Sequence, residues 1–173
     1  MLTTLSVLGV LLAIASPGLA SLVAANSLSA AQNELAASMM LARGEAIKRG
    51  TQVELSALAP VAGAEFSGGW MVYVDANGNG RYDGGETIIR QHDPVSGDIR
   101  IGTVSGATAV GFSGRGFLTP STLIDFMVCR GSAPATSGMT TMSVPTTTVT
   151  SKGYRVRLEP VGMADVAEVT TCS

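Results

Sequence analysis

The chain has 173 residues, 46% of them hydrophobic and only 14% charged, with a formal net charge of −2 and a pI near 5.3. That balance excludes a strongly basic nucleic-acid binder and gives no global attraction to anionic lipid. With a helical segment set aside, the remaining length suits one domain with its own core.

Residues 1–33 carry no Asp, Glu, Lys or Arg, and the first charge is Glu34. The apolar run 1–23 is long enough to span a bilayer, for which about 20 helical residues suffice. A cleaved signal peptide is the rival reading. A weak Ala-x-Ala-like site around Ala13 and Ala15 favours it, and the lack of a basic start argues against it. Pro17 falls inside the run and predicts a kink, which membrane helices tolerate. From Leu28 the apolar residues recur at Ala31, Leu35, Met39, Ala42 and Ala46, the stripe of a helix lying on a core. Arg43, Glu45, Lys48 and Arg49 crowd its end, and Gly50 is a natural stop. The predicted division is a transmembrane half over 1–24, an amphipathic half over 25–50, and a β-rich head over 51–173.

In the head, 21 glycines and 7 prolines across the chain fit tight turns between short strands. Strands are predicted over 51–57, 69–75, 86–92, 98–104, 108–113, 123–129, 154–159 and 165–171. Segments 59–69 and 75–86 read as loops. The Thr-rich stretch 137–151 reads as either an edge strand or a loop, because Pro145 argues against a central position. If the head is exported, Cys129 and Cys172 are expected to pair; otherwise they are two separate buried thiols.

The loop from Asp75 to Glu86 fits the EF-hand pattern, with Asp75, Asn77, Asn79, Asp83 and Glu86 at ligand positions and Gly80 at the turn. Its flanks read as strands rather than helices. The alternative is a hairpin tip whose Asn and Asp side chains cap backbone amides. Calcium bound there would be held weakly, and no other cofactor is expected. His92, the single histidine, falls at a strand end beside Asp93 and is expected to be an ordinary surface side chain. Gly111-Phe112-Ser113-Gly114-Arg115 lacks the last glycine of a nucleophile elbow, and there is no zinc cluster or P-loop. The chain is not expected to be an enzyme.

Two blocks carry a resemblance. One is the helix end, Asn33-Glu34-Leu35 and then Leu41-Ala42-Arg43-Gly44-Glu45-Ala46-Ile47-Lys48-Arg49-Gly50, with Pro17 upstream. The other is Gly69-Trp70-Met71-Val72-Tyr73-Val74-Asp75-Ala76-Asn77-Gly78-Asn79-Gly80, followed by Asp83 and Gly85-Glu86. They resemble the GspH/FimT group of type IV pilin-like proteins, the minor pilins and pseudopilins of type II secretion systems and type IV pili. The resemblance implies a pilin-like α+β fold, a long N-terminal α-helix packed on a β-rich, sandwich-like head. It implies assembly with other pseudopilins or pilins on an inner-membrane platform, anchored through 1–23, with the head in the periplasm. Leu2, Leu5, Leu8, Leu11, Leu12, Ile14 and Pro17 would then pack the filament, while Leu35, Met39, Ala42 and Ala46 dock the head.

Such proteins are made with a basic leader, a Phe that becomes N-methylated and a Glu soon after it. Aligned on Pro17, all of these fall upstream of Met1, so the resemblance implies a start placed too late or a shortened form. The missing leader also accounts for the charge pattern. Lys and Arg lie only on the C-terminal side of the span, which by the positive-inside rule alone favours a cytoplasmic head. The alternative function is a DNA-binding minor pilin, for which Lys152, Arg155 and Arg157 are the candidate contacts. A soluble secreted β protein is the third reading.

Overall fold

The computed structural model describes residues 2–95, 97–131 and 153–170, with side chains described from Val23 onward apart from Ala24. A single helix, α1 (Leu2–Arg49), runs 48 residues, continuous through Pro17; at 1.5 Å per residue it is about 70 Å long. Gly50, at φ 66°, ends it by donating its N–H to the Ala46 carbonyl at 2.9 Å, the left-handed cap expected of a glycine just past a helix.

Among the described residues nine strands follow: β1 (Val53–Ala57), β2 (Trp70–Val74), β3 (Ile88–His92), β4 (Ile99–Thr103), β5 (Ala109–Phe112), β6 (Leu118–Thr119), β7 (Ile124–Arg130), β8 (Gly153–Leu158) and β9 (Ala164–Val169). They form two sheets, ordered β3-β2-β1-β5-β6 and β4-β7-β8-β9, and every pairing is antiparallel. Helix α1 contacts β1, β2 and β5 of the first sheet and β7, β8 and β9 of the second. One core therefore serves the helix and both sheets.

The helical stripe is buried at every expected position: Leu28, Ala31, Leu35, Met39, Ala42 and Ala46. Small Ala42 and Ala46 let the helix approach β1, whose Val53 and Leu55 join the same core. On the second sheet, Ile124, Phe126 and Val128 of β7 and Val156 and Leu158 of β8 point to this core. The residues between them face outward, as the two-residue period of a strand requires.

The predicted strands all form, within one or two residues of the expected ends. Two features depart from expectation. The two-residue β6 is too short for any periodicity to announce it. The segment 59–69 is a loop, but it contributes Phe66, fully buried and edge-on to Phe126 with ring centroids 5.2 Å apart. It also contributes Glu65, whose buried carboxylate accepts the N–H groups of Gly63 (2.8 Å) and Thr103 (3.0 Å). The Thr-rich stretch 137–151, read as either an edge strand or a loop, lies outside the described residues.

Candidate functional site

The candidate functional element is the docked helix, whose buried stripe joins the core of both sheets. Besides the apolar stripe, four polar ties fix α1 to the head. Ser29 Oγ and Tyr154 Oη lie 3.1 Å apart. Trp70 Nε1 donates to the buried Ser38 Oγ at 2.9 Å. His92 Nε2 lies 2.6 Å from Glu34 Oε2. Arg43 donates from Nε to Gly116 O and from Nη2 to Val161 O, both at 3.1 Å. The helix has one packed side and one open side. Val23, Met40 and Ile47 are 62%, 64% and 52% exposed. Beside Met40 and Ile47 a groove of about 360 Å³ runs between the helix end and Leu158, Met163 and Ala164.

His92 is the clearest correction to the sequence reading. It is not an idle surface residue: its ring stacks on Trp70, centroids 4.0 Å apart and planes 6° from parallel. No local sequence signal announces this stack, because it follows from the register that pairs His92 with Trp70 across the two strands.

The five candidate calcium ligands do come together, in the tip between β2 and β3, but they are bonded to the loop itself. Asp75 Oδ1 accepts the N–H groups of Gly78 and Asn79, and Oδ2 accepts that of Gly80 at 2.8 Å. The Asn77 and Asn79 amides both donate to Asp83 Oδ2 at 2.7 Å, which holds the Asp83 carboxyl below its ordinary range. Glu86 accepts from Ala76 N at 3.0 Å and Asp83 N at 2.9 Å. Among the described residues no cluster of three or more His, Cys, Asp or Glu is arranged to hold a metal ion.

The tip folds back over the outer face of the first sheet and buries what lies there. Glu54, 3% exposed, is opposite Tyr73 on β2 and Gly111 on β5. Gln52 Nε2 bridges Glu54 Oε1 and Asp75 Oδ2, 3.0 Å from each. Burial pushes the Glu54 carboxyl up to about 7; the Gln52 hydrogen bond opposes the rise and the charge of Asp75 adds to it. Burial, and then the surrounding carboxylates, also raise Tyr73 well above the ordinary phenol range. Its hydroxyl is buried without a hydrogen-bond partner among the described residues.

Of the candidate DNA contacts, Arg155 and Arg157 lie on the outward face of β8. Arg157 is committed to Asp125 through two hydrogen bonds of 2.9 and 3.3 Å, and Asp165 is its register partner on β9. Lys152 lies outside the described residues, as does Cys172, the expected partner of Cys129 on β7. The side chains of Leu2, Leu5, Leu8, Leu11, Leu12, Ile14 and Pro17 are likewise outside them. Among the described residues no helix is long and apolar enough to cross a membrane.

A family model described as "Type II transport protein GspH" matches residues 31–162, which takes in the docked half of α1 and nearly all of the head. The chain belongs to the GspH family. Its fold is that of a pilin: it superposes on the type IV minor pilin FimU of Pseudomonas aeruginosa with a TM-score of 0.65, at 20% identity, covering 86% of this chain and 96% of that one. A second crystal form of FimU gives a TM-score of 0.61. The pilin-like protein PilA1 of Thermus thermophilus is 39% identical over 94 residues, 53% of this chain and 54% of that protein. The chain thus spans about half the length of that relative. Proteins of the pilin and pseudopilin families are structural filament subunits, not enzymes, and assemble with other pilins.

Proposed function

We propose that this chain is a minor pseudopilin or minor pilin of the bacterial inner membrane. It is held there by the apolar residues 1–23, and its head lies in the periplasm with Cys129 and Cys172 joined. It acts by assembly, priming or capping a filament that serves type II secretion or a type IV pilus. The observation that carries this reading is the two-sided helix. One side is fully used in docking the head, while Val23, Met40 and Ile47 stay exposed on a rod that continues into an uncharged apolar N-terminal half. Such apolar surface is what neighbouring helices of a filament would cover.

Replacing Met40 and Ile47 together by Glu tests it. The melting temperature should stay near that of the unaltered protein, while co-purification with the other filament subunits and function of the filament are lost. Assaying secretion and surface pili separately in a deletion strain assigns the system, and the proposal fails if neither changes. DNA capture is not favoured, since Arg157 already serves Asp125 and stands between two aspartates.

A further inference from the structure

Trp70 and His92 are cross-strand partners at the edge of the first sheet. The indole is tied to the helix: its N–H donates to Ser38 Oγ, whose hydroxyl donates to the Glu34 carbonyl at 2.8 Å. The imidazole stacked on it has both nitrogens against oxygen. Nδ1 lies 2.6 Å from the backbone carbonyl of Asp93, and Nε2 lies 2.6 Å from Glu34 Oε2. A carbonyl and an ionised carboxylate only accept, whereas a neutral imidazole carries a single N–H. A neutral ring therefore satisfies one of the two oxygens. The imidazolium satisfies both and places its charge over the indole face.

We propose that His92 is a proton-operated clasp between α1 and the head. As an imidazolium it holds Glu34 and Asp93 O together; when it loses a proton to solvent, one of these bonds is lost, and the half-exposed Glu34 side chain can swing into water, whereas the Asp93 carbonyl, one residue away on the backbone, stays beside the ring. Among the described residues, the charged groups beside it are Glu34 from the helix and Asp93 next in the chain, with Arg90 two residues back on β3. Strand β2 presents the uncharged Trp70. A groove of about 420 Å³ lined by Ala30, Ala31, Glu34, His92, Pro94 and Val95 gives water access to the ring, so exchange needs no unfolding. The clasp would let the acidity of the surroundings set how firmly the middle of the helix rests on the head.

The single histidine makes the test direct. In the 15N-labelled full chain in detergent micelles, ring-nitrogen spectra on the acid side, at about pH 5, should show both nitrogens protonated and hydrogen-bonded. A thermal-denaturation double-mutant cycle of Glu34→Gln and His92→Gln should show coupling of about threefold in the folding equilibrium at that pH. That coupling should fall at about pH 9, as a ring with a single N–H can serve only one of the two oxygens. Glu34 is 53% exposed at its side chain, so its substitution leaves the core intact. A neutral single tautomer at the lower pH, or the same coupling at both pH values, would overturn the proposal.

Discussion

The Arg43 guanidinium donates to the backbone carbonyl of Gly116, 3.1 Å away, and so binds the last turns of α1 to the β5–β6 turn. Its second bond, to Val161 O, fastens the β8–β9 turn to the same side chain. Both turns make room for it with glycine. A Cβ on Gly162, at φ 76°, would strike Gly116 O and crowd Arg43 Nε.

Arg43→Ala should therefore lower stability by about 1–3 kcal/mol, the range for losing hydrogen bonds made by a charged donor. Arg43→Lys should recover less than half of this, because a single ammonium does not reproduce the fork. Thermal or urea denaturation measures both. A Lys variant as stable as the unaltered protein would mean that charge alone, without the two-turn geometry, holds the contact.

The helix stripe makes a second prediction. Leu35 is fully buried against the head, and Leu35→Ala should cost about 2–5 kcal/mol. Ala42 is also fully buried, at a point where the helix approaches the sheets closely, so Ala42→Leu should cost about 1–3 kcal/mol by overpacking. Met40→Ala, on the exposed side, should change stability by less than about 0.5 kcal/mol. Equal losses at Met40 and Leu35 would contradict the one-sided docking.

These helix residues are legible in the sequence because one face repeats at steps of three and four and the docked half has no competing pattern. The strands are legible for the same reason, since β7 alternates Ile124, Phe126 and Val128 with Asp125, Met127 and Cys129. What escapes is contact between distant segments. Strict alternation along Val53, Glu54 and Leu55 would put Glu54 in water, and only the fold of a loop twenty residues away covers it. The stack of His92 on Trp70 depends on the pairing register of two strands joined by a long tip, which no local pattern specifies. The EF-hand spacing at Asp75–Glu86 is legible as a pattern, but whether its oxygens turn toward an ion or toward the loop's own amides is not.

The Asp75 tip gives a third prediction. Because Asp75 accepts three backbone N–H groups and the Gln52 amide, Asp75→Ala should cost about 2–3 kcal/mol by orphaning those donors. Asp75→Asn should cost less, since one oxygen remains. With the carboxylates already engaged, millimolar calcium is expected to leave the melting temperature unchanged. A calcium-dependent rise that disappears in Asp75→Ala would instead make the tip a cation site.

The buried Glu54 makes stability depend on pH in a definite direction. In the unfolded chain its carboxyl titrates near the ordinary 4.5, and in the folded protein near 7. Between those values the folded state keeps a proton that the unfolded state has released. The contribution is therefore fully present below pH 4.5 and lost as pH rises through 7. A separation of that size corresponds to roughly 3 kcal/mol at most. Glu54→Gln keeps a neutral side chain over Gly111 at every pH. Comparing the two proteins by denaturation at about pH 5 and about pH 8, the unaltered chain should lose stability relative to the variant as pH rises. Parallel curves would place the titrating group elsewhere. A variant that gains at the lower pH instead would mean that Glu54 is charged beneath the tip and is held there by partners other than Gln52.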